Sequence, residues 1–210
     1  MSSDKRILVG DVGGTHARFA VVHPSDAGPW RIEQRLDLAE RFATFNDALR
    51  SYLERAGVTA LPPIAAIAVA GPVEAGTARF TNRGWNISEQ ALREIGFKRA
   101  LLINDFAALA LAVDLLEEKQ LHAIGPQIKG AVAGDLALAH GARGGVYIAG
   151  GIAQKIEAFL VQSAFRRRFE DKGRLSPFVR AVPTRLIVNP DVALLGAARA
   201  GVLLAHPEAA

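Results

Sequence analysis

Apolar residues fall along this chain in short runs and alternations punctuated by glycine, proline and small polar residues. Ile7-Leu8-Val9 lies in a first predicted strand, Arg6–Asp11, and Thr15–His23 forms a second beyond a Gly13-Gly14 turn. Past a turn at Pro24–Pro29, Trp30–Asp37 alternates, with Trp30, Ile32 and Leu36 on one face and Arg31, Glu33 and Arg35 on the other. The chain therefore opens with antiparallel strands joined by short turns. Thr44, with Asp47 three residues on, marks a helix start. Phe45, Ala48, Leu49, Tyr52, Leu53 and Ala56 then recur at helical spacing up to Gly57. Ile64–Ala70 is almost wholly apolar, as a strand covered on both faces is, and ends at Gly71-Pro72. Gly76–Asn82 reads as a short extra strand. Ser88 caps a helix running through Ile95 to Gly96, Ala100–Ile103 is another buried strand, and Phe106–Leu115 is a helix of Ala and Leu. The order β-β-β-α-β-α-β-α predicts an α/β sheet in which an antiparallel opening is extended by parallel strands with crossover helices. The carboxyl ends of the first strand, of Ile64–Ala70 and of Leu101–Ile103 then share one edge, where open α/β sheets gather ligands.

The pattern breaks from Gln120 to Gly130. Beyond it come a small-residue helix at Ala131–His140, a strand at Val146–Ala149, Gly150-Gly151, and a helix around Ile152–Leu160. A basic helix at Ser163–Glu170, a strand at Leu186–Val188 and a helix at Val192–Leu204 complete the reading. Composition adds limits. At 210 residues, half of them hydrophobic, the chain can bury a real core in one or two domains. No apolar run approaches the length of a membrane span, and Met-Ser-Ser-Asp-Lys-Arg lacks a signal-peptide core, so the expectation is a cytoplasmic protein with no membrane partner. The absence of cysteine excludes disulfides and thiol chemistry, and the scattered histidines show no metal-ligand spacing. The net charge of +4 is modest. Arg166-Arg167-Arg168, followed by Lys172 and Arg174, is interrupted by Glu170 and Asp171, which reads as a solvated helix face rather than a nucleic-acid footprint.

Three places carry chemistry. In Gly10–Val22 a strand, a tight turn and a strand follow in succession. Gly13 and Gly14 suit a turn that needs positive φ, and its outward N–H groups with the Thr15 hydroxyl suit phosphate oxygens. Asp11 sets a carboxylate where a phosphate-bound Mg²⁺ could sit; an ordinary hairpin begun by an Asp is the alternative. Asn104-Asp105 follows a buried strand on the same edge, so Asp105 can take a proton from a substrate hydroxyl, cap the helix that follows, or do both. Gly150-Gly151, between a strand and a helix start, lets backbone lie close to a nucleotide or phosphate, or simply makes a tight turn.

Leu8–Phe19, Leu102–Phe106 (L-I-N-D-F) and Gly144–Ile152 (G-G-V-Y-I-A-G-G-I) together resemble the bacterial glucokinase family, within the actin/sugar-kinase/Hsp70 ATPase superfamily. Val69-Ala70-Gly71-Pro72, Thr81-Asn82 with Trp85, Phe165–Gly173 and Asn189–Gly196 extend the resemblance in the family's order. It implies a ribonuclease-H-like, actin-type ATPase fold. A small domain at 1–110 would be joined by the C-terminal helix 191–210, with an incomplete second domain at 111–190. It also implies ATP and Mg²⁺ as cofactors, and glucose or a related hexose as the substrate phosphorylated at its 6-hydroxyl. Gly10, Asp11, Val12, Gly13, Gly14 and Thr15 would grip the ATP phosphates, with Asp11 toward the Mg²⁺, and Gly150 and Gly151 would lie beside the adenosine. Asp105 would be the base and Asn104 would hold a neighbouring sugar hydroxyl. His16 stands where the family usually has Asn. A long family stretch, with a second Gly-rich phosphate hairpin and an E-G-G-H sugar-binding segment, has no match here; Gln127–Ala133 stands in its place. The apolar faces that this stretch would cover predict a homo-oligomer.

Overall fold

A computed structural model describes residues 5–14, 16–26, 28–38, 42–80, 84–124 and 132–206. The chain divides into two units, Met1–Leu115 with Asp191–Ala210, and Leu116–Pro190.

The first unit is built on a five-stranded sheet. Strands β1 (Ile7–Val12), β2 (Ala17–His23) and β3 (Arg31–Leu38) are antiparallel; β4 (Ile64–Val69) and β7 (Arg99–Asn104) join parallel to β1, giving the order β3-β2-β1-β4-β7. Side-chain alternation sends Leu8 and Val12 of β1 to one face and Ile7 and Val9 to the other. On the first face lie α1 (Phe45–Arg55), α2 (Glu89–Ile95) and a hairpin of β5 (Thr77–Phe80) and β6 (Trp85–Ser88). Every residue of β4 is buried, which accounts for its unbroken apolar sequence. The Thr44 capping box forms: Thr44 Oγ1 accepts from Asp47 N at 3.1 Å, and Thr44 N donates to the Asp47 carboxylate at 3.1 Å. The second face is covered by α3 (Asp105–Ala112) and α9 (Val192–Ala205), through Ala108, Leu194, Ala197 and Ala198.

The regular alternation expected of Trp30–Asp37 is corrected here. Gln34 has φ +52, and the register between β2 and β3 slips between Phe19 and Val21. One extra residue turns the strand over, so Trp30 and Ile32 pack on the α9 face while Leu36 packs on the α1 face. β6 was not expected from the sequence. The predicted extra strand Gly76–Asn82 is observed as Thr77–Phe80, and Thr81 and Asn82 lie outside the described residues.

The second unit contains a three-stranded sheet. Strand β9 (Val146–Ile148) runs parallel to β10 (Thr184–Ile187), and β8 (Leu121–Ala123) pairs antiparallel with β10 on its other side. Beside it are α4 (Val132–Ala139), α5 (Gly151–Lys155), α6 (Glu157–Gln162), α7 (Phe165–Glu170) and α8 (Ser176–Arg180). The helix expected around Ile152–Leu160 is two short helices, because the backbone leaves helical geometry at Ile156 (φ −107, ψ 20). The solvated basic face expected at Arg166–Arg168 holds for Arg167 and Arg168, which are exposed, and is corrected at Arg166. Arg166 is buried; its guanidinium donates to Val182 O at 2.6 Å, Arg180 O at 2.9 Å and Glu170 Oε1 at 2.8 Å, fastening α7 to the β10 approach. The connector 125–131 lies outside the described residues. Among the described residues no helix is long and apolar enough to cross a membrane.

Candidate active site

The carboxyl ends of β1, β4 and β7 meet in register, Val12 beside Val69 and Val69 beside Asn104. This edge carries the hairpin between β1 and β2. Gly13 N donates to His16 O at 3.0 Å, so the turn is closed by its own backbone. Gly13 is not in the left-handed region, contrary to the expectation that its φ is positive, and a Cβ there would meet only His16 O at 3.8 Å. Gly14 is exposed at the tip, and Thr15 lies outside the described residues. Gly10 and Val12 are both buried within the β1 ladder. A Cβ on Gly10 would stand 2.9 Å from Ile67 Cδ1 and 3.2 Å from Phe19 Cδ1, so its small size serves core packing.

Asp11 lies at the same edge on the α9 face, half-buried. Its Oδ2 accepts from Arg18 Nη1 at 3.3 Å, and Arg18 Nε donates to Asp37 Oδ2 at 3.2 Å. Asp11, Arg18 and Asp37 are direct cross-strand neighbours, so one guanidinium spans two carboxylates along a row of the sheet. Burial raises the Asp11 pKa, Arg18 lowers it, and the charge of Asp105 raises it again. Arg18 was not picked out from the sequence. The signal was available, because a hairpin closed by Gly13–His16 sets Arg18 opposite Asp11.

At the end of β7, Asn104 rather than Asp105 is the cap of α3. Its Oδ1 accepts from Phe106 N at 3.0 Å and from Ala107 N at 3.4 Å, while its Nδ2 donates to Gly71 O at 3.0 Å. The carboxamide thus ties the first turn of α3 to the chain leaving β4. Asp105 is the first helical residue, half-buried, and its Oδ1 accepts from Phe106 N at 2.9 Å. Gly196 contributes from α9: a Cβ there would lie 1.7 Å from Ala108 O, so only glycine lets α3 sit this close. The chemistry available at this edge is an acidic pair, Asp11 and Asp105, beside an exposed glycine turn. Among the described residues no three His, Asp or Glu side chains gather as a metal site.

Gly150 and Gly151 belong to the second unit, where they join β9 to α5. Both are exposed, and Gly150 has φ +109, a conformation that favours glycine.

The family model for glucokinase matches residues 8–129 and 126–203. This chain belongs to the glucokinase family. The glucokinase of Caulobacter sp. strain K31 is 33% identical over 308 aligned positions, covering 91% of this chain and 93% of that protein. A crystal structure of glucokinase from an Antarctic psychrotroph matches with a TM-score of 0.83 at 25% identity, over 94% of this chain and 99% of that one. The ROK hexokinase of Thermus thermophilus shares the fold, with a TM-score of 0.66 at 17% identity over 96% and 99% of the two chains. The fold is therefore that of the actin-like sugar-kinase ATPases. A glucokinase-family chain of 210 residues cannot fill 308 aligned positions, so the Caulobacter relative carries a long stretch with no counterpart here. The family model breaks and resumes at 126–129, inside the segment that interrupts the sequence pattern.

Proposed function

We propose that this chain is a glucokinase-type phosphotransferase of the cytoplasm, moving the γ-phosphate of ATP to the 6-hydroxyl of glucose. Family membership carries the reaction. The observation that carries the site is the juxtaposition of Asp11, the Gly13–His16 turn and Asp105 at one sheet edge. In this reading the exposed backbone around Gly14 receives phosphate oxygens. Asp105 accepts the proton of the hydroxyl as its oxygen attacks the γ-phosphorus and ADP departs. Asn104 sets the start of α3 so that the Asp105 carboxylate is held at the edge. Its remaining amide hydrogen is the group free to meet a sugar hydroxyl. Gly150 and Gly151 are assigned to the adenosine side of the nucleotide.

The residues present fit a Mg²⁺ brought in on ATP. Asp11 has one oxygen on Arg18, is half-buried, and feels the like charge of Asp105, a setting that a cation relieves. When bound, that ion supplies charge neutralisation to the transferring phosphoryl group. A second reading is a nucleotide-binding, self-associating remnant. It is favoured by the family stretch that has no counterpart between the two matched segments.

Calorimetry with Mg·ATP and a coupled hexose-phosphorylation assay separate the two. The enzyme reading expects ATP binding together with glucose-dependent turnover that falls by a factor of ~10²–10⁴ in Asp105→Asn, the usual worth of a positioned base. ATP binding without turnover supports the remnant. Turnover unchanged by Asp105→Asn overturns the base assignment.

A further inference from the structure

At the other end of the same sheet, Ile7, Ile64 and Arg99 are aligned side by side at the amino ends of β1, β4 and β7. They are five residues along the strands from the Val12–Asn104 edge, roughly 17 Å away at the usual rise. A cavity of about 280 Å³ opens there. Its floor is apolar, formed by Ile7 and Ile64 of the sheet, Val202 and Ala205 of the last turn of α9, and Pro24 and Pro63 from the loops. Its rim is cationic. Lys5, Lys98 and Arg99 line it against a single carboxylate, Asp26, and that carboxylate is already paired with Lys5 at 2.9 Å. Arg99 Nη1 donates to Leu204 O at 2.6 Å, which fixes the guanidinium at the wall. Among the described residues neither Lys98 nor Arg99 has a carboxylate partner.

We infer that this cavity is a second ligand site, for a small amphipathic carboxylate. An apolar floor under unpaired cations suits a ligand with a hydrocarbon body and one anionic head. The body replaces water over Ile7, Ile64 and Val202, and the head forms charge-assisted hydrogen bonds with Lys98 and Arg99. A sugar or sugar phosphate fits poorly, because its hydroxyls would lose water against a floor with no partners for them. The volume lies just below the ~300–1,000 Å³ of clefts for larger ligands, so the occupant is of the size of octanoate. The site is separate from the hairpin edge and its occupancy does not depend on catalysis.

The test is methyl-detected NMR on the full chain, titrated with octanoate, octanol and inorganic phosphate. Octanoate is expected to shift the methyl signals of Ile7, Ile64 and Val202 saturably, with octanol and phosphate each at least about tenfold weaker. Lys98→Gln combined with Arg99→Gln is expected to weaken octanoate binding at least about tenfold. Lys98→Gln alone, which leaves the Arg99 contact to α9 in place, is expected to weaken it severalfold. The inference falls if octanoate causes no saturable shift, if octanol or phosphate binds as well, or if a folded Lys98→Gln protein binds octanoate unchanged.

Discussion

Asp11 is held in a place that does not favour its charge. Burial lifts its pKa, Arg18 draws it down, and Asp105 lifts it again, leaving it above the ordinary value of 3.8. A carboxyl with a raised folded-state pKa stabilises the fold fully below the unfolded pKa and loses that contribution as pH rises through the folded pKa. Ionised Asp11 therefore weighs against folding at neutral pH, a pattern expected where a site is kept for function. Asp11→Asn is expected to melt at a higher temperature than the parent at neutral pH, with the gap closing as pH falls toward 3.8. Thermal melts of both proteins across that range check it, and a gap that is constant or reversed contradicts the account. Two neighbouring residues have structural roles that the sequence alone did not show. Gly10 belongs to the core through Ile67 and Phe19, and the cap of α3 is Asn104. Asp and Asn are both good caps, and adjacent in sequence they compete; only the backbone decides which stands just outside the first helical residue.

Helix α3 carries Asp105 in its first turn and rests on α9 with its backbone directly against Gly196. A Cβ at Gly196 would come within 1.7 Å of Ala108 O, and backbone atoms cannot swing aside as a side chain end can. Gly196→Ala must push the two helices apart. Overpacking usually costs about 1–3 kcal/mol, and this contact belongs at the upper end. A fall of that size in unfolding free energy, measured by urea denaturation, is the expected outcome, accompanied by loss of any turnover that depends on Asp105. An unchanged urea midpoint would show that the helices part without cost. Strand β3 teaches a related lesson. Its alternation is legible in the sequence, yet the bulge at Gln34 reverses which face Leu36 occupies, because a single inserted residue inverts a period of two.

The second unit leaves large apolar side chains in water. Ile152 is 79% exposed, Phe159 69% and Leu136 55%. Helices α5 and α6 have no fully buried residue, whereas α7 and α8 share the small core of Phe169, Val179 and Val182. The break between the two segments matched by the family model, at 126–129, follows β8 in this same unit. We expect the protein to form dimers or larger species at micromolar concentration through these side chains. Light scattering should show this, and Ile152→Lys with Phe159→Lys should return it toward monomer. A clean monomer of the parent chain would count against the expectation.

Local rules were enough for much of this. The capping box at Thr44–Asp47, the wholly buried run of β4 and the spacing of α1 are written in neighbouring residues, because caps and periodicities act over a few positions. The ordered series of motifs from Leu8 to Ile152 was likewise readable as that of the glucokinase family. What needed the folded chain were relations between distant residues. Arg18 bridges Asp11 and Asp37 across three strands, Asn104 reaches Gly71, Arg166 goes into the core beside exposed Arg167 and Arg168, and Gly196 admits α3. Each depends on register, bulge or helix approach, which are set by packing among segments far apart in the chain and leave no periodic trace in any one of them.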